Sequence, residues 1–567
     1  MSRSIKSVLA CAVLAIAGCA IQPERAAQTA LAPPTGTVDV KIIAFNDLHG
    51  NLKTPNLRVP VPDATQSTGF RLEPAGGVEQ FSALVKSLRA KNPNHIVVSA
   101  GDLVGATPLM SAFFRDEPTI EAMNLVGVDL HAVGNHEFDY GTKHLKRLRT
   151  GGCPENKEGK ADCAGREPYA GSKFPFLAAN VIEDNTGQTL FPAYVIKDFD
   201  GVKIAFIGVT LEGTPSIVRP GGTAGLTFKS EVVTVNKLIP EIKAKGVEAI
   251  VVVMHEGGIQ GPGGGINDCK NFSGKGKEVV EKFDPAVDVV LSAHTHRYYV
   301  CDVGGKLMTS AGSYGSLVTD VNLKIDRATG KVVSKKAVNL VVDPKGPKDP
   351  ALTALVDKYA KLSEPLENRV VAKVTREVTL LTTPSGESTI GNLIADAHLA
   401  SAAAPDKGGA VIAFNNPGSL RAPIIPAADS SVKYGDLFKT QPFQNDLISM
   451  NLTGRQLKAL LEQQFGGDRP RIMAVSNGFS YSWDSSKPAG EHIIASSMKL
   501  NGMPISPDLQ YRVVANSFVA GGSEGMSVFR DGTERQVGVL DLEALVAFLS
   551  ANSPYTPPAV GRITKIN

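Results

Sequence analysis

From Val38 to about Asp343 the chain alternates short apolar runs with amphipathic segments. The runs VKIIAF, HIVVSA, LHAVG, KIAFIGVT, EAIVVVM and VDVVLSA are short, rich in β-branched residues and followed by polar or glycine breaks, the pattern of buried strands. Between them, GGVEQFSALVKSLRAKN and SEVVTVNKLIPEIKAKG repeat their apolar residues at helical spacing. Strands alternating with helices predict an α/β region over residues 38–343. The polar break VDPKGPKDP closes it, ALTALVDKYAKLSEPLENRV predicts a connecting helix within residues 344–370, and a second α/β region fills 371–567.

The first residues follow a different rule. MSRSIK is basic, and SVLACAVLAIAG is apolar but too short to span a bilayer. The following IAGC resembles a bacterial lipoprotein signal, in which Cys19 is lipidated and becomes the mature N-terminus. Residues 1–18 are then a signal peptide and 19–37 an Ala- and Pro-rich tether. An ordinary secretory signal cut nearby is the alternative. Both send the chain out of the cytoplasm, to the periplasm or cell envelope, and the first adds a membrane partner through the lipid.

Composition narrows the class. Hydrophobic residues make up 43% and charged residues 20% of 567 positions, enough apolar material for more than one globular core. The formal net charge of +3 falls to +1 once Arg3 and Lys6 are set aside, so no nucleic-acid polymer is expected as a partner. Beyond Cys11 and Cys19 the chain has Cys153, Cys163, Cys269 and Cys301. Cys153 and Cys163 flank a Gly- and charge-rich loop that favours a local bridge, leaving Cys269–Cys301 as the second disulfide. A zinc site built from all four thiolates is the alternative, but no C-x2-C spacing supports it.

The chemistry sits immediately after the strand-like runs. NDLHG follows the first and brings Asp47 and His49; GDLVG brings Asp102; NHEFDYG brings Asn135, His136 and Asp139. His255 ends a fourth run, and HTH after a fifth brings His294 and His296. Loops beyond the carboxyl ends of parallel strands line the ligand crevice of α/β sheets. Carboxylate, amide and imidazole donors together suit two divalent cations, with zinc, manganese and cobalt all acceptable. Any one of these motifs occurs by chance; the ordered set, using five of ten histidines, does not.

That set resembles the calcineurin-like metallophosphoesterases, with motifs D-x-H, GD, GNH[ED], H and GHxH. The resemblance implies a four-layer α/β/β/α sandwich and a dinuclear centre. It places Asp47, His49 and His296 on one metal, Asn135, His255 and His294 on the other, and Asp102 between them. His136 matches the catalytic histidine and Asp139 the residue that orients it. Ala293 stands where glycine is usual.

The second region resembles the 5'-nucleotidase C-terminal domain, through GNLIADAHL (391–399), NNPGSLRAPI (415–424), QPFQNDL (441–447) and NSFVAGGSEG (516–525). The resemblance implies a base sandwiched by Phe443 and Phe518, phosphate contact from Asn416 and Arg421, base contact from Asn445, and an acid for the ribose supplied by Glu524. Three departures stand out. The loop reads NPGSLR, Ser523 occupies the usual acid slot, and no arginine precedes GNL. The implied activity is hydrolysis of nucleoside 5'-monophosphates, with UDP-sugars or other nucleotides as further substrates, by in-line attack of a hydroxide held between the metals. Cyclic-nucleotide phosphodiesterases and thiosulfohydrolases share the layout, and a surface lipoprotein that binds nucleotide without turnover is the non-enzymatic alternative.

Overall fold

The computed structural model describes residues 36–567, apart from 68, 155–160, 164–166, 219–220 and 468. The segment 1–18, Cys19 and nearly all of the expected tether lie outside the described residues. No described helix is long and apolar enough to cross a membrane.

The two main sheets of the N-terminal region are built from β1 (Thr37–Phe45), β2 (His95–Ser99), β3 (Leu130–Ala132), β4 (Phe176–Leu177), β5 (Tyr194–Phe199), β6 (Val202–Thr210), β7 (Ala249–His255), β8 (Val289–Ser292), β9 (Tyr298–Val303), β10 (Lys306–Ala311), β11 (Leu317–Asp326) and β12 (Val332–Val341). They form two six-stranded sheets, ordered β12-β11-β1-β2-β3-β4 and β9-β10-β8-β7-β6-β5. β1 to β4 run parallel, as do β6, β7, β8 and β10, while antiparallel strands close the edges.

Side-chain alternation makes the layers. In β1, Val38, Val40, Ile42 and Ala44 point into a core shared with Ala249, Val251 and Val253 of β7. The intervening Ile43 and Phe45 pack under α1 (Val78–Arg89), against Phe81, Val85 and Leu88. Likewise Ile250, Val252 and Met254 of β7 face α3 (Glu231–Ala244), which follows α2 (Gly141–Thr150) in the chain. Both faces of each sheet are therefore covered, giving the α/β/β/α sandwich. Each buried aliphatic side chain contributes about 1.5–3 kcal/mol, so a one-residue slip that inverted both faces of β1 is strongly disfavoured.

Helix α4 (Pro350–Glu367) starts at Asp349, whose carboxylate caps the Ala351 N–H at 3.2 Å and accepts from Ser82 Oγ at 2.5 Å. Leu352, Leu355, Val356 and Tyr359 then pack into the α1 core. Past it, β13 (Ile412–Asn415), β14 (Asp446–Thr453), β15 (Ala474–Val475), β16 (Gln510–Asn516) and β17 (Thr533–Leu540) form a sheet ordered β15-β13-β16-β14-β17. Helices α5 (Thr389–Ala402) and α6 (Asp541–Ala551) pack together beside it through Leu393, Ile394, Leu542 and Leu545. Leu109 and Ala112 of the N-terminal region join that same cluster, so the two regions share apolar contact close to the GD loop. Both disulfides, Cys153–Cys163 and Cys269–Cys301, are present.

Candidate active site

Parallel strands end on one rim, and the rim collects the polar residues that follow them. Asp47 and His49 leave β1, Asp102 leaves β2, and Asn135 and His136 leave β3; His255 closes β7, and His294 and His296 follow β8. His255 keeps the inward parity of Val251 and Val253, which carries its ring to the seam between the sheets. Asp47 and His255 are 0% exposed, His49 and Asp102 1%, and Asn135 2%. Burial of so many polar groups demands partners.

Those partners leave two gaps. A backbone carbonyl takes the Nδ1 side of two rings: Gly105 O lies 2.8 Å from His49 Nδ1, and Ala100 O lies 2.8 Å from His255 Nδ1. The Nε2 lone pairs then face inward. His49 Nε2 meets His296 Nε2 at 3.0 Å, and Asp47 Oδ1, 3.4 Å from His296 Nε2, is buried without a hydrogen-bond partner. On the other side Asn135 Oδ1 lies 3.2 Å from His255 Nε2 and 3.0 Å from His294 Nδ1. Asp102 Oδ2 lies 3.0 Å from His255 Nε2 and 3.7 Å from His49 Nε2, between the two groups. Asp47–His49–His296 and Asp102–His255–His294 each bring donor atoms within 4.8 Å of one another. Converging lone pairs with an orphaned carboxylate oxygen fit two divalent cations.

The electrostatics agree. Burial holds His49 near a pKa of about 3 and His294 near about 4, both neutral and able to donate a lone pair. Burial also opposes charge on His255, but the Asp102 carboxylate outweighs it and lifts the ring to about 10. That field favours positive charge at His255 Nε2, which a cation satisfies as a proton does.

The loops are locally strained. Asp47, His49, Asp102, His294 and His296 all have positive φ, between 45° and 70°, a conformation that costs non-glycine residues of order 1–3 kcal/mol each and clusters at functional sites. Gly101 and Gly134, the glycines of GD and GNH, have no substitute: a Cβ would collide with the His255 ring at the first and the Asp102 carboxylate at the second. Glu137 holds the loops in place. Its buried carboxylate accepts from the backbone N–H groups of Asp102 (3.0 Å), Leu103 (2.8 Å) and Gly134 (2.5 Å).

His136 stands at the edge of this rim. Its Nδ1 lies 2.7 Å from Asp139 Oδ2, and its backbone N–H donates to Asp102 Oδ1 at 2.9 Å. Burial disfavours charge on the ring, yet Asp139 and Asp102 prevail and hold it at about 9. Against it lies a residue of the C-terminal region: the Phe443 ring is 5.8 Å from the His136 ring and 17° from parallel, and the Arg421 guanidinium lies 5.6 Å from the centre of that phenyl ring. A cavity of about 260 Å³ opens here, with His136, Asn416, Arg421, Phe443, Asn445, Phe518 and Glu524 in its wall. All six substrate-side positions expected from sequence thus line one pocket that also touches Asn135, His136 and His294. Burial raises the Glu524 pKa, partly offset by Arg471 and by a hydrogen bond with Asn416.

Residues 40–298 match the calcineurin-like phosphoesterase family, and residues 369–531 match the 5'-nucleotidase C-terminal domain. The chain belongs to the 5'-nucleotidase family. It is a family of hydrolytic enzymes, and calcineurin-like phosphoesterases use divalent metals. The chain is similar to the crystal structure of a 5'-nucleotidase precursor from Thermus thermophilus, with a TM-score of 0.72 and 25% identity over 94% of this chain and 100% of that one. It is 32% identical to endonuclease YhcR of Bacillus subtilis over 94% of this chain and 41% of the relative. Cell wall protein Lmo0130 of Listeria monocytogenes is 29% identical over 87% of this chain and 64% of its own length. The chain therefore spans less than two thirds of either of these two relatives.

Two site residues escaped the sequence reading. Glu137 is the last letter of GNHE, but nothing in its spacing shows that backbone amides more than thirty positions away converge on it. Arg471 lines the nucleoside-side pocket as an exposed cation. It stands in an aperiodic loop before β15, where no motif marks it.

Proposed function

We propose that the chain is an exported, dinuclear-metal phosphohydrolase that converts nucleotides, nucleoside 5'-monophosphates first, to nucleosides and phosphate. One arrangement supports the reading: seven candidate ligands from five strand ends adjoin His136, and the Phe443–Phe518 pocket opens on that same histidine. Asp47, His49 and His296 would hold one cation and Asn135, His255 and His294 the other, with Asp102 shared; zinc, manganese and cobalt all suit these donors. When bound, such cations neutralise phosphoryl oxygens and lower the pKa of water.

The chain's own groups do the rest. Phe443 and Phe518 offer apolar faces on which a base stacks, a contact worth about 1–3 kcal/mol and tolerant of base identity. Asn445 meets the base edge, and Glu524 accepts from the ribose hydroxyls. The planar fork of Arg421, assisted by Asn416, grips phosphate. Arg471 supplies a further cation in a chain that lacks the arginine before GNL. His136, with Nδ1–H directed to Asp139, keeps Nε2 for passing a proton to the leaving oxygen.

Phosphate release from nucleoside 5'-monophosphates, UDP-sugars, 2',3'-cyclic nucleotides and sulfur conjugates, by the chelated chain reloaded with each cation, tests this. The expected result is metal-restored turnover of the 5'-monophosphates. Turnover confined to cyclic or sulfur substrates replaces the nucleotidase reading, and nucleotide binding without turnover replaces catalysis altogether. Attachment through Cys19 predicts that a labelled fatty acid is incorporated by the native chain and not by Cys19→Ala.

A further inference from the structure

The nucleoside pocket has two arginines in its wall, and they act on different ends of it. Arg421 belongs to the phosphate end. Its guanidinium lies 5.6 Å from the centre of the Phe443 ring, and its charge joins burial in opposing that of His136. Arg471 belongs to the other end, where burial raises the Glu524 pKa and the Arg471 charge opposes the rise. Glu524 itself is seated against the loop after β13, since a Cβ on Gly418 would lie 2.3 Å from its Oε1.

The Arg471 guanidinium is free. Its backbone N–H donates to Gln464 O at 2.8 Å, while the side chain is exposed and no described residue accepts from it. Asn445, by contrast, is tied down: its Nδ2 donates to Asp541 Oδ2 at 3.2 Å, and its Oδ1 accepts from Ser517 Oγ at 3.4 Å. Stacking on Phe443 and Phe518 tolerates any base, so a choice among bases falls to the polar groups at the base edge. In a 5'-nucleotide the base is the part most distant from the phosphate. With phosphate at Arg421, a base between the two phenyl rings turns an edge to the end where Arg471 stands. A guanidinium donates and accepts nothing. It matches a 6-oxopurine, whose O6 and N7 accept side by side, and opposes the 6-amino group of adenine, itself a donor.

We propose that Arg471 reads the base, so that the pocket selects 6-oxopurine nucleotides over 6-aminopurine ones, with O6 and N7 accepting from its guanidinium. This choice of base rests on the nucleotide function proposed above and narrows it. The deciding pair is inosine 5'-monophosphate and adenosine 5'-monophosphate, which share ribose and phosphate. Their kcat/KM values are compared on the metal-loaded full chain, native and with Arg471→Ala or Arg471→Gln. The native chain should favour the inosine nucleotide by about tenfold, the scale of one bidentate contact, and carry the difference in KM. Arg471→Ala should bring the two substrates level by weakening the inosine nucleotide alone. Arg471→Gln should turn the preference toward adenosine, since a glutamine amide pairs with N6 and N7 of adenine.

Equal kcat/KM for the two substrates in the native chain overturns the base reading. So does an equal loss on both in Arg471→Ala, which makes Arg471 a general cation for the phosphate. Calorimetric titration with inosine and adenosine, which carry no phosphate to release, separates this from the hydrolase reading. Inosine binding about tenfold tighter, with the preference lost in Arg471→Ala, upholds the base choice even in a chain that turned over no nucleotide. Equal binding of the two nucleosides overturns it.

Discussion

The metal rim and the nucleoside pocket meet at His136, yet they are built by opposite means. Every candidate rim ligand emerges within a few residues of a strand, Asp47, His49, Asp102, Asn135 and His255 are buried between the two sheets, and five of the seven candidates are held at positive φ. Glu137 locks the GD and GNH loops from beneath. The nucleoside side is carried on loops and short turns after β13 and β16 and before β14, with Phe443 and Phe518 half-buried and Arg421 and Arg471 exposed. NPGSLR, GGSEG and the absent arginine all fall on that second side. A rim whose geometry is over-determined tolerates little change, whereas a loop-borne pocket can be retuned without disturbing the centre.

That contrast can be broken experimentally. Chelation, or Asp102→Ala, should abolish phosphate release in a steady-state assay, with added cation restoring the native chain alone. His136→Ala should lower kcat by about 10²- to 10⁴-fold, the range expected for a positioned acid–base group, while KM moves little. Phe443→Ala and Phe518→Ala should instead act on KM, raising it about tenfold in line with a lost stacking partner. Comparable losses of kcat for His136→Ala and Phe518→Ala would dissolve the division of labour. Glu137→Gln directs an amide NH2 at backbone donors and should cost about 1–3 kcal/mol in denaturant unfolding. Its metal affinity should fall as well, sharpening the case that the rim is preorganised.

Much of this was legible along the chain because strands buried on both faces read as short continuous apolar runs. Each of the six apolar runs carries a strand, and the polar letters that follow five of them land on one rim since parallel strands share a direction. The loop spacing also pointed to Cys153–Cys163. What escaped has no period. Glu137 acts on amides of a neighbouring loop, Arg471 stands in an irregular segment, and α4, which reads as a connector, packs its apolar face into the N-terminal core.

The sequence by itself determined the α/β character of both regions, the order of candidate ligand types and, through the motifs' resemblance, the pairing of a phosphoesterase region with a nucleotidase C-terminal region, because apolar runs and short motifs are local properties. Only the tertiary structure decided which donors face one another across the seam, that Phe443 stacks on His136, and that Arg471 reaches the nucleoside pocket. Those facts depend on how two sheets and a second domain pack, and packing joins residues that the chain keeps far apart.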